Sequence, residues 1–260
     1  MRPLYTRRHF VVFYGQIKGV INMEHRKEAA LSFLSQDPLL HADMLSAIQR
    51  GAADILSASP DGVLLLETGG DVLMLSARDE AAGKRLTAQC SGDREVVLHQ
   101  LFLLPMGDAL GLTSHNVCFQ AVYDRKTPVE YDCPYPIAPL TESDLPTVLE
   151  HYQLIRDPEI LLEHITAGHM WGVRKDGALM GFVGIHSEGS MGLLEVFPEY
   201  RRMGLAFALE GFLINRHLEK RLIPYCQIFE SNAASLALQK KLGLSFAEGR
   251  VTWVFRPHTA

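Results

Sequence analysis

Val196-Phe197-Pro198-Glu199-Tyr200-Arg201-Arg202-Met203-Gly204-Leu205-Ala206 is the stretch on which the fold turns. Before it, Met191 to Val196 suits a short apolar strand. After it, Leu205, Leu209, Phe212 and Leu213 give a helix one apolar face, and Lys220-Arg221 suit that helix's C-terminal end. A helix N-terminus leaves backbone N–H groups without intrahelical partners and carries the positive end of the macrodipole, so it suits an anion. Gly204 lets the anion approach the main chain, small Ala206 keeps the next contact open, and Arg201 and Arg202 add positive charge. The expected ligand is a diphosphate, held by the main chain across Arg201, Arg202, Met203, Gly204, Leu205, Ala206 and Phe207.

The surroundings decide whose diphosphate it is. A nucleotide-binding P-loop ends in Gly-Lys-Ser/Thr, which is absent here, and a dinucleotide fold wants three spaced glycines where only Gly204 stands. The pattern present is Arg-x-x-Gly-x-Ala after a strand, with Asn232 opening a helix about thirty residues on and Leu242-Gly243-Leu244 closing it. This resembles the GNAT superfamily of CoA-dependent N-acyltransferases. The resemblance covers most of residues 136–256 and implies an α/β (α+β) fold, a mixed central sheet flanked by helices. Thr141 with Asp144 reads as a helix-capping pair, and Asp157-Pro158 as the cap and first position of a second helix. Trp171 to Arg174 and Leu179 to His186 read as a hairpin, Pro224 to Phe229 as a strand and Arg250 to Phe255 as a terminal strand. Pro198-Glu199-Tyr200-Arg201 with Pro224-Tyr225 is most similar to the glycine N-acyltransferase-like branch.

The resemblance implies direct attack of a primary amine on the thioester of acetyl-CoA, or another acyl-CoA, in a ternary complex. Such a reaction needs a base for the amine, a donor for the oxyanion and a proton for the departing thiolate. The oxyanion contact is expected from the backbone at Val196 and Phe197, and Asn232 with Ser235 is expected to contact the pantetheine arm, Asn232 also serving as a helix cap. Where the resemblance implies a Glu or His as base this chain has Ser190 and Gly192, so the base is sought at Glu195, at Glu188 or at His186. Glu195 is preferred; its competing role is a structural carboxylate paired with an arginine, and that of Glu188 a solvated turn residue. Gln239 stands where the family often has a tyrosine acid, which leaves Tyr225 and Tyr200 as substitutes and makes a non-catalytic acyl-CoA-binding module the alternative function.

Composition agrees with a globular enzyme of one or two domains. The chain has 260 residues and a net charge of −5, which gives no reason to expect nucleic acid or an acidic membrane surface. Cys90, Cys118, Cys133 and Cys226 show no Cys-x-x-Cys spacing and read as free thiols of a reducing, cytoplasmic compartment. Eleven histidines lack His-x-His or His-Glu-x-x-His spacing, so no metal is expected. No apolar run reaches the ~20 residues of a membrane span. The expected partner is a small-molecule amine or amino acid, with a homodimer left open. Residues 1–22 read as an extra N-terminal segment, either ahead of a natural start at Met23 or an additional N-terminal strand. Residues 23–126 read as helix pair, hairpin, helix and two strands (95–104 and 116–123), either a degenerate repeat of the GNAT pattern or an unrelated α+β cap. Residues 127–136 form a Pro-containing linker to the catalytic domain, 137–260.

Overall fold

The computed structural model describes residues 23–90 and 94–257; the expectation for residues 1–22 lies outside them. Several elements end where local chemistry says they should. In the C-terminal half β6 (Ile137–Pro139) runs into a capping box, in which Thr141 and Asp144 bond reciprocally, and then α5 (Leu145–His151). Asp157 caps α6 (Pro158–Thr166), its carboxylate accepting from Glu159 N at 2.9 Å. Strands β7 (Met170–Lys175), β8 (Ala178–Ile185) and β9 (Met191–Val196) follow as an antiparallel meander. Next come α7 (Leu205–Glu219), β10 (Tyr225–Phe229), α8 (Ala233–Leu242) and β11 (Ser245–Phe255). Asn232 caps α8 through Ser235 N, and Gly243 ends it in the left-handed conformation that glycine adopts without strain.

The N-terminal half begins with a helix over residues 23–34 (α1) and α2 (Ala42–Arg50). It continues through β1 (Ala53–Ser59), β2 (Gly62–Glu67), β3 (Val72–Ala77), α3 (Glu80–Thr87), β4 (Val96–Leu98), α4 (Leu104–Ala109) and β5 (Ser114–Val122). Three details differ from the sequence expectation. Asp37-Pro38 reads as the cap of the second helix, but Asp37 accepts from Leu40 N in a turn and α2 starts only at Ala42. Strand β1 was not anticipated: its alternating half-burial packs against β2 but carries polar residues. The expected strand 95–104 stops at Leu98, because Leu101–Leu103 turns into a 3₁₀ helix leading to α4, with Pro105 suited to a helical first turn.

From α1 to β5 the order is two helices, three strands, helix, strand, helix, strand, and from α5 to β11 it is the same. The final strands are exchanged between the halves. One sheet has the order β1-β2-β3-β4-β11-β5-β10 and the other β6-β7-β8-β9. Thus β11, from the C-terminal half, pairs with β4, while β5, from the N-terminal half, pairs with β10, and β5 and β11 pair with each other at the centre. The segment 127–136 is pinned to α7: Val129 N donates to Asn215 Oδ1 at 2.7 Å, and Asn215 Nδ2 donates back to Val129 O at 3.0 Å.

The halves treat one pair of strands differently. In the N-terminal half β3 and β4 pair in parallel, Leu73 with Val96 through Leu75 with Leu98. In the C-terminal half the corresponding β9 and β10 lie side by side but in separate sheets, without a ladder between them. An edge strand offers free main-chain groups that another segment or a ligand can pair with.

Candidate active site

From β9, whose edge facing β10 carries no ladder, the chain passes to the N-terminus of α7. After β9 the chain makes a 3₁₀ turn, Pro198–Tyr200, and reaches Gly204 at φ +80°, the N-cap of α7. No side chain caps this helix, and its first main-chain bond runs from Ala208 N to Gly204 O. The N–H groups of Leu205, Ala206 and Phe207 therefore point out of the helix without intrahelical acceptors. A Cβ built on Gly204 would meet nothing within 4 Å, so the space above the cradle is open. Arg202 is exposed and held at φ +64°, a conformation that L-residues adopt at a cost and that clusters at functional sites. A diphosphate fits this arrangement: open donors, the positive end of a 15-residue helix, and a nearby guanidinium.

The partner repeat makes the contrast. Helix α3 follows β3 as α7 follows β9, yet its N-cap is Asp79, whose carboxylate accepts from Ala82 N at 2.8 Å. That hydrogen bond holds Asp79 below the usual carboxylate range. The N-terminal half thus supplies its own anion where α7 leaves the place open.

Strand β9 also carries a distortion. Its pairing with β8 slips between Phe182 and Gly184, and Leu193 sits at φ +48° in the strand. Such a bulge bends a strand and turns main-chain groups out of the ladder. Next to it, Glu195 lies near Tyr152, the residue that follows α5; burial and then the Glu195 charge push the Tyr152 hydroxyl up to about 12. Arg201 turns back to this strand: its Nε donates to Val196 O at 3.0 Å and its Nη2 to Glu195 Oε1 at 3.1 Å. Arg201 therefore fixes the strand and Glu195, and Arg202 is the arginine left facing solvent by the cradle. Phe197 is buried, with its ring stacked on His151 at 3.7 Å between centroids, so its side chain belongs to the core under the turn. Met203 is half exposed beside Gly204.

The remaining candidates are buried or partly buried in packing. Glu188 is buried, a correction to its reading as a solvated turn carboxylate. Its carboxylate accepts from Ser190 Oγ, and its main-chain oxygen accepts from Tyr225 Oη at 2.9 Å and from Arg50 Nη2 at 2.5 Å. Tyr225 is fully buried, and burial followed by the Glu188 charge drives its hydroxyl well above the ordinary tyrosine value. These residues join the turn after β8 to the Arg50–Glu67 pair of the N-terminal half. His186 packs over Gly192, where any Cβ would strike its ring. Tyr200 packs partly buried against the core clusters on both sides of β9. Gln239 is buried between α8 and α7, where its Nε2 donates to Glu210 Oε1 at 3.0 Å. Glu210 was not singled out from the sequence: it follows Leu209 in an apolar stretch, and nothing local marks it. Among the described residues no group of three His, Cys, Asp or Glu side chains is placed to hold a metal, and no helix is long and apolar enough to cross a membrane. All four cysteines are free.

Residues 132–244 match the model of the Acetyltransferase (GNAT) family. No curated protein sequence matches the chain. Among solved structures, a Drosophila protein is similar at a TM-score of 0.68 and 13% identity, over 92% of this chain and 97% of that one. A putative GNAT acetyltransferase from Novosphingobium aromaticivorans is similar at 0.51 and 19% identity, over 86% and 98%. A GCN5-related N-acetyltransferase-like protein from Streptococcus suis is similar at 0.53 and 14% identity, over 84% and 96%. At these identities the likeness is one of fold, and it spans both halves. Residues 132–244 thus match a model of the GNAT acetyltransferase family, and the fold of both halves is similar to that of solved GNAT-family structures.

Proposed function

We propose that this protein is an acyl-CoA-dependent N-acyltransferase, in the first instance an N-acetyltransferase, that acylates a primary amine of a small molecule or amino acid. The observation that carries the proposal is the uncapped N-terminus of α7 above an open Gly204, at the place where β9 and β10 part. The N–H groups of Leu205, Ala206 and Phe207, with Arg202, hold the diphosphate. Asn232 and Ser235 at the start of α8 flank the pantetheine arm. When bound, acyl-CoA supplies an activated thioester. The chain's own work is to orient that group along the free edge of β9, offer main-chain donors near Val196 to the oxyanion, and take the amine's proton. Glu195 is the proton acceptor, held in place by Arg201. Run Pro198-Glu199-Tyr200-Arg201 points to the glycine N-acyltransferase-like branch, and four free thiols suit a cytoplasmic enzyme.

The N-terminal half is a repeat of the same fold whose cradle has closed. Its zipped β3–β4 pair and its Asp79 cap leave no room or positive site for a second acyl-CoA. Its contribution is structural: it donates β5 and braces the turn after β8 through Arg50.

A second reading, a non-catalytic acyl-CoA-binding module, is favoured by the burial of Glu188, Tyr225 and Gln239, which leaves the partly buried Tyr200 as the remaining acid candidate for the thiolate. An alkyl thiolate is a tolerable leaving group without one. The two readings separate in one assay, release of free thiol from acetyl-CoA with a panel of amines that includes glycine. The enzyme releases thiol in proportion to amine. A protein that saturates with CoA yet releases no thiol above background is the binding module.

A further inference from the structure

Strand β11 is interrupted near its middle, and the interruption leaves a space between the halves. Its ladder with β5 pairs Phe246 with Ala121 and resumes only at Arg250, paired with Phe119. Residues 247–249 therefore form a bulge, a device that bends a strand and often borders functional sites. On the other side of β11, β4 pairs only from Val254 to Thr252, because the chain leaves the sheet after Leu98 for the 3₁₀ turn Leu101–Leu103. Neither neighbour pairs with Glu248 or Gly249. Gly249 lies instead against the turn before α2, where a Cβ would approach Leu40 Cδ1 to 3.0 Å. The result is a cleft of about 530 Å³, within the ~300–1,000 Å³ of small-molecule sites. None of its walls belongs to β9 or to the head of α7.

The walls decide what the cleft can hold. Leu40, Leu101 and Phe102 supply apolar surface. Of the charged groups lining it, His99 is fully buried and its Nε2 is held by Asp43 at 2.8 Å, so its charge is matched. Arg250 donates from Nε to Glu230 Oε1 at 2.9 Å and from Nη1 to the main-chain oxygens of Glu248 and Gly249 at 3.0 and 3.1 Å. Its guanidinium carbon lies 3.7 Å from the centroid of the Phe119 ring. Glu248 is the exception: among the described residues its exposed carboxylate has neither an ion pair nor a hydrogen bond. An apolar enclosure with one unmatched negative charge suits a cation carried on a hydrocarbon body. An anion would meet both Glu230 and Glu248, with Arg250 already engaged.

We propose that this cleft binds an organic ammonium ion, with its N–H groups on the Glu248 carboxylate and its hydrocarbon body against Leu40, Leu101 and Phe102. Hydrogen bonds between two ionised partners are the strong ones, and the apolar walls add burial of the ligand's carbon atoms. The cleft is a second amine site, apart from the acyl-transfer centre proposed above and independent of it. It is a binding site only: no bond is made or broken there.

Titration of ¹⁵N-labelled protein with phenethylammonium, followed at the main-chain amides of His99 to Phe102 and of Gly249, tests this. The probes 2-phenylethanol and 3-phenylpropionate supply a neutral and an anionic molecule of similar size. The ammonium is expected to shift these amides saturably and to bind about tenfold more tightly than the alcohol, with the carboxylate weakest. Glu248→Gln removes the charge at an exposed position and is expected to bring the ammonium down to the affinity of the alcohol. Leu101→Arg, also at an exposed position, sets a fixed cation in the cleft and is expected to weaken the ammonium about tenfold or more. Alcohol binding as tight as that of the ammonium, or ammonium affinity unaltered in Glu248→Gln, overturns the proposal. So does an absence of saturable shifts at these amides, or shifts confined to β9, which would assign the amine to the acceptor side of the transfer reaction.

Discussion

At the scale of single residues, Glu195 and Gly204 make the sharpest claims. The Arg201–Glu195 pair is exposed enough to contribute little to stability, about 0–1 kcal/mol. Glu195→Gln should therefore melt close to wild type while the rate of thiol release falls about 10²–10⁴-fold, the usual contribution of a general base. A rate unchanged at saturating amine would remove Glu195 from the chemistry and leave it the structural partner of Arg201. At Gly204 two effects can be separated, because the space above it is open but its φ is +80°. Gly204→Ala should cost about 1–2 kcal/mol of stability through left-handed strain and keep most coenzyme A affinity. Gly204→Glu sets a carboxylate against the phosphates and should abolish binding. If the two variants bind coenzyme A equally well, backbone strain is the only role left for this glycine.

At the scale of elements, the halves are joined by buried polar contacts. Asp43 of α2 binds His99 Nε2 at 2.8 Å just past β4, and its second oxygen accepts from Gln227 Nε2 of β10 at 3.0 Å. Gln227 in turn accepts from Trp253 of β11. Both members of the ion pair are fully buried. Burial opposes the charged imidazole of His99, but Asp43 outweighs it and the His99 pKa is raised. A raised base contributes stability that is complete below its unfolded value of about 6.5 and is lost as pH climbs through the folded value. His41 goes the other way: burial, with the His99 charge behind it, lowers it to about 4. Acid from pH 6.5 to 4 protonates His41 only in the unfolded chain, which costs the fold up to about 3 kcal/mol. Urea melts should thus find stability falling on both sides of weakly acidic pH. Asp43→Ala should lose about 3–5 kcal/mol and flatten the alkaline limb. An alkaline limb of the same slope in that variant would show that His99 is not its source. Little of this network was legible in the sequence. Caps at Thr141, Asp157 and Asn232 are written in adjacent residues, because capping acts over three or four positions. Asp43 and His99, like Glu210 and Gln239, meet only after the chain has folded, and no local pattern announces such pairs. Strand β1 escaped because a half-buried edge strand mixes Asp54, Ser57 and Ser59 with its apolar residues.

At the scale of the molecule, the reciprocal exchange of β5 and β11 makes the two halves one folding unit. A fragment of residues 137–260 would leave β10 without its neighbour β5, and β11 without both β4 and β5. That fragment alone should aggregate or melt without cooperativity, and co-expression with residues 23–136 should restore a soluble complex. A cooperative melt from 137–260 by itself would contradict the exchanged arrangement. Strand order of this kind depends on pairings more than a hundred residues apart, which is why the exchange was not readable in the element order. The halves differ at the strands beside it: β3 and β4 are zipped, while β9 and β10 stay without a ladder, and there the diphosphate is proposed to sit at the head of α7. Titration of ¹⁵N-labelled protein with coenzyme A, followed at the main-chain amides of Leu205, Ala206 and Phe207, tests this directly. Saturable shifts centred on these three amides, absent from Glu80, Ala81 and Ala82 at the head of α3, are the predicted result. Amides at the head of α7 that stay still while coenzyme A binds elsewhere would contradict the account.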